Sequence, residues 1–488
     1  MKSLNNSDYI INQALQDWHI PGAAVAIVKG DETLHMQGHG FRDVEKGLPI
    51  TEHTRFPIAS MTKSFTAMGA AILVDEGLLA WDQPIRDLMP GFRLADDYAT
   101  NHATLRDLLC HRTGLPRHDF TWAGSGKTRQ ELFDGLRHLK PSADFRTLWN
   151  YNNLMYEVVG LLCAQVSGAE SWETFIQERV IDSLGLTSTT AGAVSSDGTS
   201  FSDIALPYKL KSCDSEPHQI PVYDNPLGPA GSIHSTLTDL VTWIKVHTHA
   251  GISNGVQLVS PKNLEMMHTP HMLIPPTPLQ KELFNHSLFS YGLGWFVEPY
   301  QGLTLCHHGG NIGGFSLMAA FVPQEEITVV VLTNIQGKSL AKALMYEALD
   351  CTLGVDKRKT KDWSAEYLNA TKKLEQDALK TIEKSDSARI ADAPVSHPLK
   401  DYAGRYTALG YADIVIKWED NKLSALFAGE WLDLVHYHYD IFELDMTEDY
   451  GEKRKVSFSL NNDGSISQLH ITVEPEVGDT IFEIVCVD

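Results

Sequence analysis

A short segment near residue 60 places a hydroxyl and an amine at a spacing that suits nucleophilic chemistry. It reads Ser60-Met61-Thr62-Lys63 and leads into a helical pattern from Ser64 to Glu76, which Gly77 ends. Positions three apart share one face of a helix, so the two side chains fall within reach of each other. A serine hydroxyl attacks once a base takes its proton, and a lysine serves as that base where burial or a nearby cation disfavours its charge. The pattern predicts Ser60 as nucleophile and Lys63 as its base.

By itself this SxxK pattern has little specificity. A second copy at 339–342, Ser-Leu-Ala-Lys, predicts only the start of a helix. The first copy is equally compatible with a helix N-cap followed by a solvated lysine. Other motifs have to decide between the two interpretations.

A tyrosine hydroxyl and a carboxamide stand one residue apart in Tyr151-Asn152-Asn153. A loop with this spacing can turn both groups to one side of a cleft. There the Tyr151 hydroxyl would relay a proton, and the Asn153 amide would orient a lysine and a substrate. The YxN pattern also occurs at 223–225 and 367–369, so this motif too is weak alone.

The segment His307-His308-Gly309-Gly310 follows a strand-like run at 303–306. Small residues here would let a substrate lie along the strand edge. A glycine N–H could pair with the N–H of Ser60 to bind an oxyanion, which is usually the largest single contribution to catalysis. The alternative is a glycine-rich turn with two histidines of no special role.

In their order along the chain, these three motifs resemble those of the serine β-lactamase and penicillin-binding-protein-like family, most closely its class C branch of β-lactamases, esterases and D-peptidases. Three further segments carry the resemblance, namely 104–115 (TLRDLLCHRTGL), 230–240 (AGSIHSTLTDL) and 291–295 (YGLGW). The resemblance covers roughly residues 10 to 350. It favours the catalytic interpretation of Ser60 over the N-cap interpretation.

The resemblance implies a role for each catalytic residue. Ser60 would be the nucleophile, Lys63 its partner base, and Tyr151 would share the general acid/base work. Asn153 would bind Lys63 and the substrate amide.

The resemblance also assigns the strand motif to substrate binding, through His307, Gly309 and Gly310. His307 would stand where β-lactamases carry the lysine of K-T-G, and the N–H groups of Ser60 and Gly310 would form the oxyanion hole. The register 308–310 also reads as HxG, but we prefer His307 because the double glycine then falls on Gly309-Gly310. A histidine with a pKa near about 6.5 is mostly neutral at pH 7, which argues against an optimised penicillin hydrolase.

The strand and helical patterns of the segments that must position these residues predict an α+β fold. Strand patterns at 23–28 and 33–41 lie near the beginning, strand patterns at 316–322 and 327–332 lie late, and helical patterns lie between them. The family resemblance implies a β-lactamase/transpeptidase-like antiparallel sheet with flanking helices and an all-helical subdomain. We expect this hydrolase domain to occupy residues 1–354.

The C-terminal part of the chain has a different pattern. Residues 355–396 predict a linker helix, with leucines among charges from 366 to 384. Residues 397–488 contain seven or eight short alternating runs separated by turns, which predict a small antiparallel barrel. The segment 402–406, Y-A-G-R-Y, resembles the opening of lipocalin-like barrels attached to D-aminopeptidases and D-peptidases. Such a barrel would shape the active-site mouth or mediate assembly, or else act as a stabilising appendage.

Composition narrows the function classes. The chain has 43% hydrophobic and 21% charged residues and a net charge of −22, which fits a globular protein and disfavours nucleic acid and anionic membranes as partners. The first eight residues lack the apolar core of a secretory signal, so we expect a cytoplasmic protein. Six dispersed cysteines favour free thiols over a disulfide framework.

No cofactor is expected, and His436 and His438, which alternate on a strand pattern, have no recognisable third ligand for a metal. The expected partner is a small-molecule or short-peptide substrate, while a homo-oligomer stays open.

Three functions are compatible with these residues. The first is hydrolysis of small amides, peptides with D-residues or esters through an acyl-Ser60 intermediate, with weak β-lactamase activity as a variant. The second is acyl transfer or thioester cyclisation through the same intermediate. The third is a non-catalytic penicillin-binding sensor, which would not need Ser60, Lys63 and Tyr151 together.

Overall fold

The computed structural model describes residues 7–192, 203–223, 226–284, 286–356, 360–447 and 452–485. They form two compact units. Unit 1 comprises Met1–Pro84, Thr104–Arg112 and Met155–Lys373, and unit 2 comprises Ile85–Ala103, Thr113–Leu154 and Leu374–Asp488. The domain boundaries expected at 354 and 396 stay a prediction. Among the described residues, no helix combines the length and the apolar character that a membrane crossing requires.

The helices are numbered in chain order. They are α1 (Ser7–Asp17), α2 (Thr62–Asp75), α3 (Ile85–Leu88), α4 (Asp97–His102), α5 (Leu105–Leu109), α6 (Arg129–Gly135), α7 (Asn153–Ser167), α8 (Trp172–Ile176), α9 (Gly228–Gly231), α10 (Leu237–Thr248), α11 (Pro261–His268), α12 (Pro278–Leu283), α13 (Leu340–Thr352) and α14 (Trp363–Ser387). Short 3₁₀ turns lie at Ala59–Met61, Asp119–Thr121, Leu136–His138, Pro323–Glu325 and Leu399–Tyr402, and a π-helical turn lies at Gln177–Asp182.

The strands of unit 1 are β1 (Gly22–Lys29), β2 (Glu32–Asp43), β3 (Leu48–Pro49), β4 (Phe56–Pro57), β5 (Tyr208–Lys209), β6 (His218–Gln219), β7 (His234–Ser235), β8 (Ile252–Ser253), β9 (Val256–Gln257), β10 (Met272–Ile274), β11 (Phe289–Tyr291), β12 (Phe296–Tyr300), β13 (Leu303–Ile312), β14 (Phe315–Val322) and β15 (Ile327–Thr333). The strands of unit 2 are β16 (Gly404–Thr407), β17 (Ile414–Glu419), β18 (Lys422–Phe427), β19 (Glu430–His438), β20 (Ile441–Met446), β21 (Glu452–Leu460), β22 (Ile466–Glu474) and β23 (Gly478–Val485).

A nine-stranded antiparallel sheet forms the centre of unit 1, in the order β10-β11-β12-β13-β14-β15-β1-β2-β3. The chain leaves this sheet after β3 and returns to it at β10, and the intervening segments supply most of the helices of this unit. Strands β14 and β15 are buried along their whole length, which explains their nearly continuous apolar sequence. The expected late strand pair is confirmed, as is the early pair β1 and β2.

Cross-strand register sorts the side chains of this sheet onto two faces. Val25 pairs with Val331, which pairs with Met318, and all three belong to the apolar cluster that contains α1 and α13 residues. We call this side the α13 face. The alternate positions lie on the other side, where α10 packs and where the turn before α2 meets β13 and β14. We call it the Ser60 face.

The C-terminal strands of unit 2 close into an eight-stranded antiparallel barrel, in which β23 pairs with the first strand, β16. Alternate residues point inward, as in β18, where Leu423, Ala425 and Phe427 are buried. Rings of Tyr402 and Phe458 pack edge-on in the interior. The expected α+β sheet followed by a small closed barrel is confirmed.

Candidate active site

The predicted nucleophile lies in a tight turn between β4 and α2. A 3₁₀ turn, Ala59–Met61, leads directly into α2, and Ala59 has a left-handed φ of 48°. This conformation is unfavourable for a residue with a Cβ atom and persists only where its surroundings impose it. Ala59 is buried, while Ser60 remains partly exposed. The turn therefore presents the Ser60 hydroxyl at the surface of a rigid segment.

Lys63 is one helical turn from Ser60 and is completely buried. Its Nζ donates a hydrogen bond to Ser60 Oγ at 3.2 Å and another to the carbonyl oxygen of Ala230 at 2.9 Å. The ring centroid of Tyr156 lies 5.4 Å from the same nitrogen. Removal from water penalises the charged form of an amine, which is the condition that a lysine base requires. The N-cap interpretation with a solvated Lys63 is therefore wrong.

Strand β13 approaches the Ser60 turn very closely at Gly310. A Cβ atom on Gly310 would lie 2.3 Å from the carbonyl oxygen of Ile58 and 3.2 Å from the Cβ of Ala59. Only glycine permits this approach of two backbones. The close contact places β13 directly beside the nucleophile.

Part of β13 forms a sheet edge at the same place. Strand β12 pairs with β13 only as far as His307, whereas β14 pairs with it as far as Ile312. Among the described strands, β13 therefore has a neighbour on one side only from His308 to Ile312. An extended substrate could add to such an edge through backbone hydrogen bonds.

The two histidines of β13 point to opposite faces of the sheet. His307 pairs across the sheet with Ala320, which belongs to the α13 face, and its Nε2 lies 3.6 Å from Glu298 Oε1. The His308 side chain points to the opposite side of β13 and lies on the Ser60 face. A Cβ atom on Gly310 would point to the same side. The period of a strand turns its side chain away from Ser60, which disfavours the expected role of His307 in substrate binding; that role stays a prediction.

His308 is a buried, neutral group. Its pKa is lowered to about 3, chiefly by burial and also by the nearby Lys63, against an opposing hydrogen bond to Gly309. The Gly309 carbonyl oxygen can only accept, so His308 Nδ1–H donates to it at 2.7 Å. Nε2 then accepts from the Tyr291 hydroxyl at 2.8 Å. His308 thus supplies no cation where the lysine of K-T-G would stand.

Tyr151 and Asn153 belong to unit 2, and their contacts there were not anticipated from the sequence. The guanidinium of Arg117 lies 5.1 Å from the ring centroid of Tyr151, and its Nε donates to Asp119 at 2.7 Å. The other oxygen of Asp119 accepts from Asn153 Nδ2 at 3.1 Å. Desolvation lowers the pKa of Arg117, but Asp119 and the Tyr151 oxygen outweigh it, so the pKa is raised. An Arg-x-Asp sequence is too common to have indicated this role.

The barrel holds the segment that contains Arg117 and Asp119. Glu474 accepts a hydrogen bond from the backbone N–H of His118 at 2.8 Å, and the Tyr411 hydroxyl lies 2.7 Å from His118 Nδ1. The rings of Phe120 and Phe427 lie 4.7 Å apart. The barrel thus contacts the same loop whose Arg117 and Asp119 contact Tyr151 and Asn153.

Other residues singled out in the sequence have structural surroundings. Ser339 is the N-cap of α13, which confirms that the second SxxK pattern starts a helix. Burial raises the pKa of the Cys306 thiol, so this cysteine is a poor nucleophile. A β-bulge separates His436 from His438, and their ring nitrogens face different backbone groups, Tyr439 O and Ile390 N.

Comparison with known proteins identifies the family. The beta-lactamase family model matches residues 8–351, which is well over half of the chain. The chain belongs to the beta-lactamase family of serine hydrolases. A second family model, a domain of unknown function (DUF3471), matches residues 388–483 and includes the barrel strands.

Individual relatives agree with this assignment. The unguisins hydrolase ungD' of Aspergillus campestris is 27% identical over 492 residues, covering 96% of this chain and 89% of the relative. The octameric penicillin-binding protein homologue of Pyrococcus abyssi superposes with a TM-score of 0.61 at 22% identity, over 98% of this chain and 99% of the other. The D-amino acid amidase of Ochrobactrum anthropi SV3 superposes with a TM-score of 0.58 at 24% identity, over 72% and 98%. These two structures share the fold of this beta-lactamase family chain.

Proposed function

We propose that this protein hydrolyses small amides, short peptides that contain D-residues, or simple esters through an acyl-Ser60 intermediate. The observation that carries the proposal is the 3.2 Å contact between Ser60 Oγ and the Nζ of a fully buried Lys63. Membership of a serine hydrolase family and the fold of D-amino acid amidase support the reaction class. Preference for D-residues rests on the family resemblance of the sequence.

In the proposed acylation step, Ser60 Oγ attacks the substrate carbonyl and its proton passes to a neutral Lys63. Tyr151 delivers a proton to the leaving amine or alcohol, so the C–N or C–O bond breaks with a neutral leaving group. Water then attacks the acyl-Ser60 ester, and the same groups return the proton to Ser60 Oγ. The free acid is released and the enzyme is regenerated.

The side-chain directions in β13 also move the proposed oxyanion hole by one residue. The family resemblance puts the strand donor three residues after the histidine of the motif, which is Gly310 when that histidine is His307. With His308 in that place, the donor becomes the N–H of Asn311, an exposed residue within the edge segment of β13. Ser60 N–H remains the other donor. Two such N–H groups stabilise the tetrahedral oxyanion where its charge develops.

The neutrality of His308 supports substrates without a carboxylate at this position. Both of its ring nitrogens are engaged by Gly309 and Tyr291, and its pKa of about 3 keeps it uncharged at neutral pH. Penicillins carry a carboxylate, and a neutral site gains little from it. Amides, esters and peptides with a blocked end fit this site better.

Arg117 has a proposed positioning role towards Tyr151. A cation near the tyrosine ring and oxygen favours the phenolate that forms after Tyr151 gives up its proton. Asp119 fixes the guanidinium and the Asn153 amide together. We propose that the barrel contributes by holding this loop.

A substrate panel tests the proposal. D- and L-phenylalaninamide, a D-alanyl p-nitroanilide, p-nitrophenyl acetate and nitrocefin are compared for kcat/KM, with and without an added amine acceptor. We expect the D-amides to exceed their L-forms and nitrocefin by at least about tenfold, which is roughly 1.4 kcal/mol in the barrier. Clear preference for nitrocefin contradicts the substrate class, and an acyl-amine product in place of the free acid indicates acyl transfer.

Covalent labelling tests the intermediate independently of the substrate. After a fluorophosphonate challenge, mass spectrometry of tryptic peptides should find the label on Ser60. Ser64 is a matched control because it lies on the same helix, is buried, and donates to the carbonyl oxygen of Met61 at 2.8 Å. Absence of any adduct on Ser60 contradicts the acyl-enzyme mechanism.

A further inference from the structure

A cluster of ligating side chains lies on the α13 face of the sheet, at the end where α1 packs on β2. His35 and His39 are on β2, and Asp8 is in the first turn of α1. One ligating atom from each of the three lies within 4.8 Å of the others. None of these residues takes part in the proposed hydrolysis.

The two imidazoles face each other through their Nε2 atoms. Their planes are nearly parallel, at 16°, and their Nε2 atoms lie 3.3 Å apart. Ligand nitrogens about 2.0–2.1 Å from a tetrahedral Zn²⁺ are separated by roughly 3.3–3.4 Å. The spacing of the Nε2 atoms therefore matches that of two ligands on one zinc ion.

The register of β2 explains how the two rings reach the same place. His39 pairs with Ala23 and His35 pairs with Ile27, and both partners belong to the apolar cluster of the α13 face. The pairing is regular between these two positions, and residues four apart on a strand point to the same side. The two histidines thus share one face and converge beneath α1.

Asp8 provides the third ligating group, and it lies on the side where an ion would enter the site from solvent. Its Oδ1 lies 3.9 Å from His39 Nε2, and one ligating atom from each of the three residues lies within 4.8 Å of the others. The Asp8 side chain is 61% exposed, whereas that of His39 is 2% exposed. An exposed carboxylate on a helix terminus can move the short distance needed for ligation, and it leaves one side of the site open to water.

The electrostatics of the cluster agree with cation binding. A neutral imidazole has one unprotonated ring nitrogen whose lone pair can bind a metal ion. Two neutral rings and one carboxylate attract a divalent cation more strongly than they attract one another. Two nitrogens and one oxygen with a fourth position for water form a ligand set that suits zinc.

We propose that Asp8, His35 and His39 bind one Zn²⁺ ion that joins the N-terminal helix to the edge region of the sheet. The site lies on the opposite face of the sheet from Ser60. We therefore expect the ion to stabilise the contact between the helix and the sheet, because an ion that binds only the folded chain stabilises the folded chain.

Zinc titration of the full-length, EDTA-treated protein tests this proposal. Bound zinc is measured by mass spectrometry of the metal after gel filtration, affinity by competition with a chromogenic chelator, and Tm by calorimetry. We expect one tightly bound zinc per chain and a Tm that rises with zinc. His35→Gln should weaken binding by about 100-fold and Asp8→Asn by about tenfold, and the Tm gain should shrink accordingly.

His53→Gln is the matched control, since His53 is an exposed histidine in unit 1 with its side chain 70% exposed. It should bind zinc like the wild type. If His35→Gln does not fold, Asp8→Asn still tests the site because its side chain is at the surface. Zinc affinity that is unchanged in Asp8→Asn and His35→Gln, or no zinc bound at micromolar concentrations, overturns the proposal and indicates a histidine–histidine hydrogen bond without a metal.

Discussion

Strand β13 separates two clusters that contain the same kinds of residue. On the Ser60 face, Lys63 donates to Ser60 Oγ and His308 is its neutral neighbour. On the α13 face, Lys342 lies near His307 and Glu298. Each lysine comes from an SxxK sequence, and each histidine comes from the pair at 307–308.

The partners of the two lysines explain why only one cluster is suited to catalysis. Desolvation lowers the pKa of Lys342, and the Glu298 carboxylate opposes this shift only in part. Burial raises the pKa of Glu298, and Tyr346 donates a hydrogen bond to it at 2.6 Å. The polar groups of this buried network thus have one another as partners. Lys63 instead donates to Ser60, which is partly exposed. A similar set of residue types thus forms the proposed catalytic group on one face and a buried network on the other.

The largest expected effect separates the two SxxK serines. Ser60→Ala should lower kcat by at least about 10³-fold, because it removes the oxygen on which the proposed acyl intermediate forms. Ser339→Ala should leave kcat within about twofold, since Ser339 begins α13 without a side-chain cap bond. Steady-state hydrolysis of a p-nitrophenyl ester measures both. Turnover by Ser60→Ala at the wild-type rate would break the comparison.

A smaller effect separates the two glycines of β13. Gly310→Ala places a methyl group 2.3 Å from Ile58 O and must move β13 away from the Ser60 turn. We expect kcat/KM to fall by about 100-fold, because misplacement by about 1 Å is enough to lose that much. Gly309→Ala meets the flexible Met318 Cε at 3.2 Å and the Leu317 carbonyl oxygen at an ordinary contact distance of 3.5 Å, and should cost less than about tenfold in kcat/KM. Equal losses in the two variants would contradict the assignment of faces.

The histidine pair gives the next test. His308→Ala should lower kcat/KM by about tenfold through the loss of its bonds to Gly309 and Tyr291. His307→Ala should leave kcat/KM nearly unchanged and lower the free energy of unfolding by roughly 1–3 kcal/mol, because Glu298 loses a buried neighbour. Kinetics and urea unfolding of both variants measure the difference. The reverse pattern would restore His307 to the active site.

The smallest expected effect is on the pH dependence of the free energy of unfolding. His307 and His308 should contribute to it by similar amounts. Burial lowers the pKa of His307 well below its usual value and that of His308 to about 3, so both stay neutral in the folded chain while the unfolded chain takes up protons near pH 6.5. The free energy of unfolding should therefore fall as the pH drops below about 6.5, by up to about 1.4 kcal/mol per pH unit for each ring, until the folded pKa is reached.

Removing either ring should make this pH dependence shallower. Between pH 6 and pH 5, urea unfolding of His307→Ala and of His308→Ala should each lose roughly 1 kcal/mol less than the wild type. His53→Ala, which removes an exposed ring, should keep the wild-type dependence. An unchanged slope in both buried variants would show that the two rings do not remain neutral in the folded chain.

Local sequence patterns were sufficient for the elements of the fold. Apolar runs predicted β14 and β15, the glycine after Glu76 predicted the end of α2, and alternating runs predicted the barrel strands. These features depend on neighbours along the chain, and their periods are written in the sequence. The order of motifs also indicated the family, and with it the roles proposed for Ser60 and Lys63.

The sequence could not decide which histidine of β13 lies beside Ser60. A shift of one residue along a strand reverses the side of the sheet, and two adjacent histidines before two glycines leave that shift open. Only the cross-strand register, with Ala320 on one face and Gly310 against Ile58 on the other, decided it. The contact of Arg117 with Tyr151 and the convergence of Asp8 with His35 also required tertiary structure. Both join residues that are far apart along the chain, and no local period records such a distance.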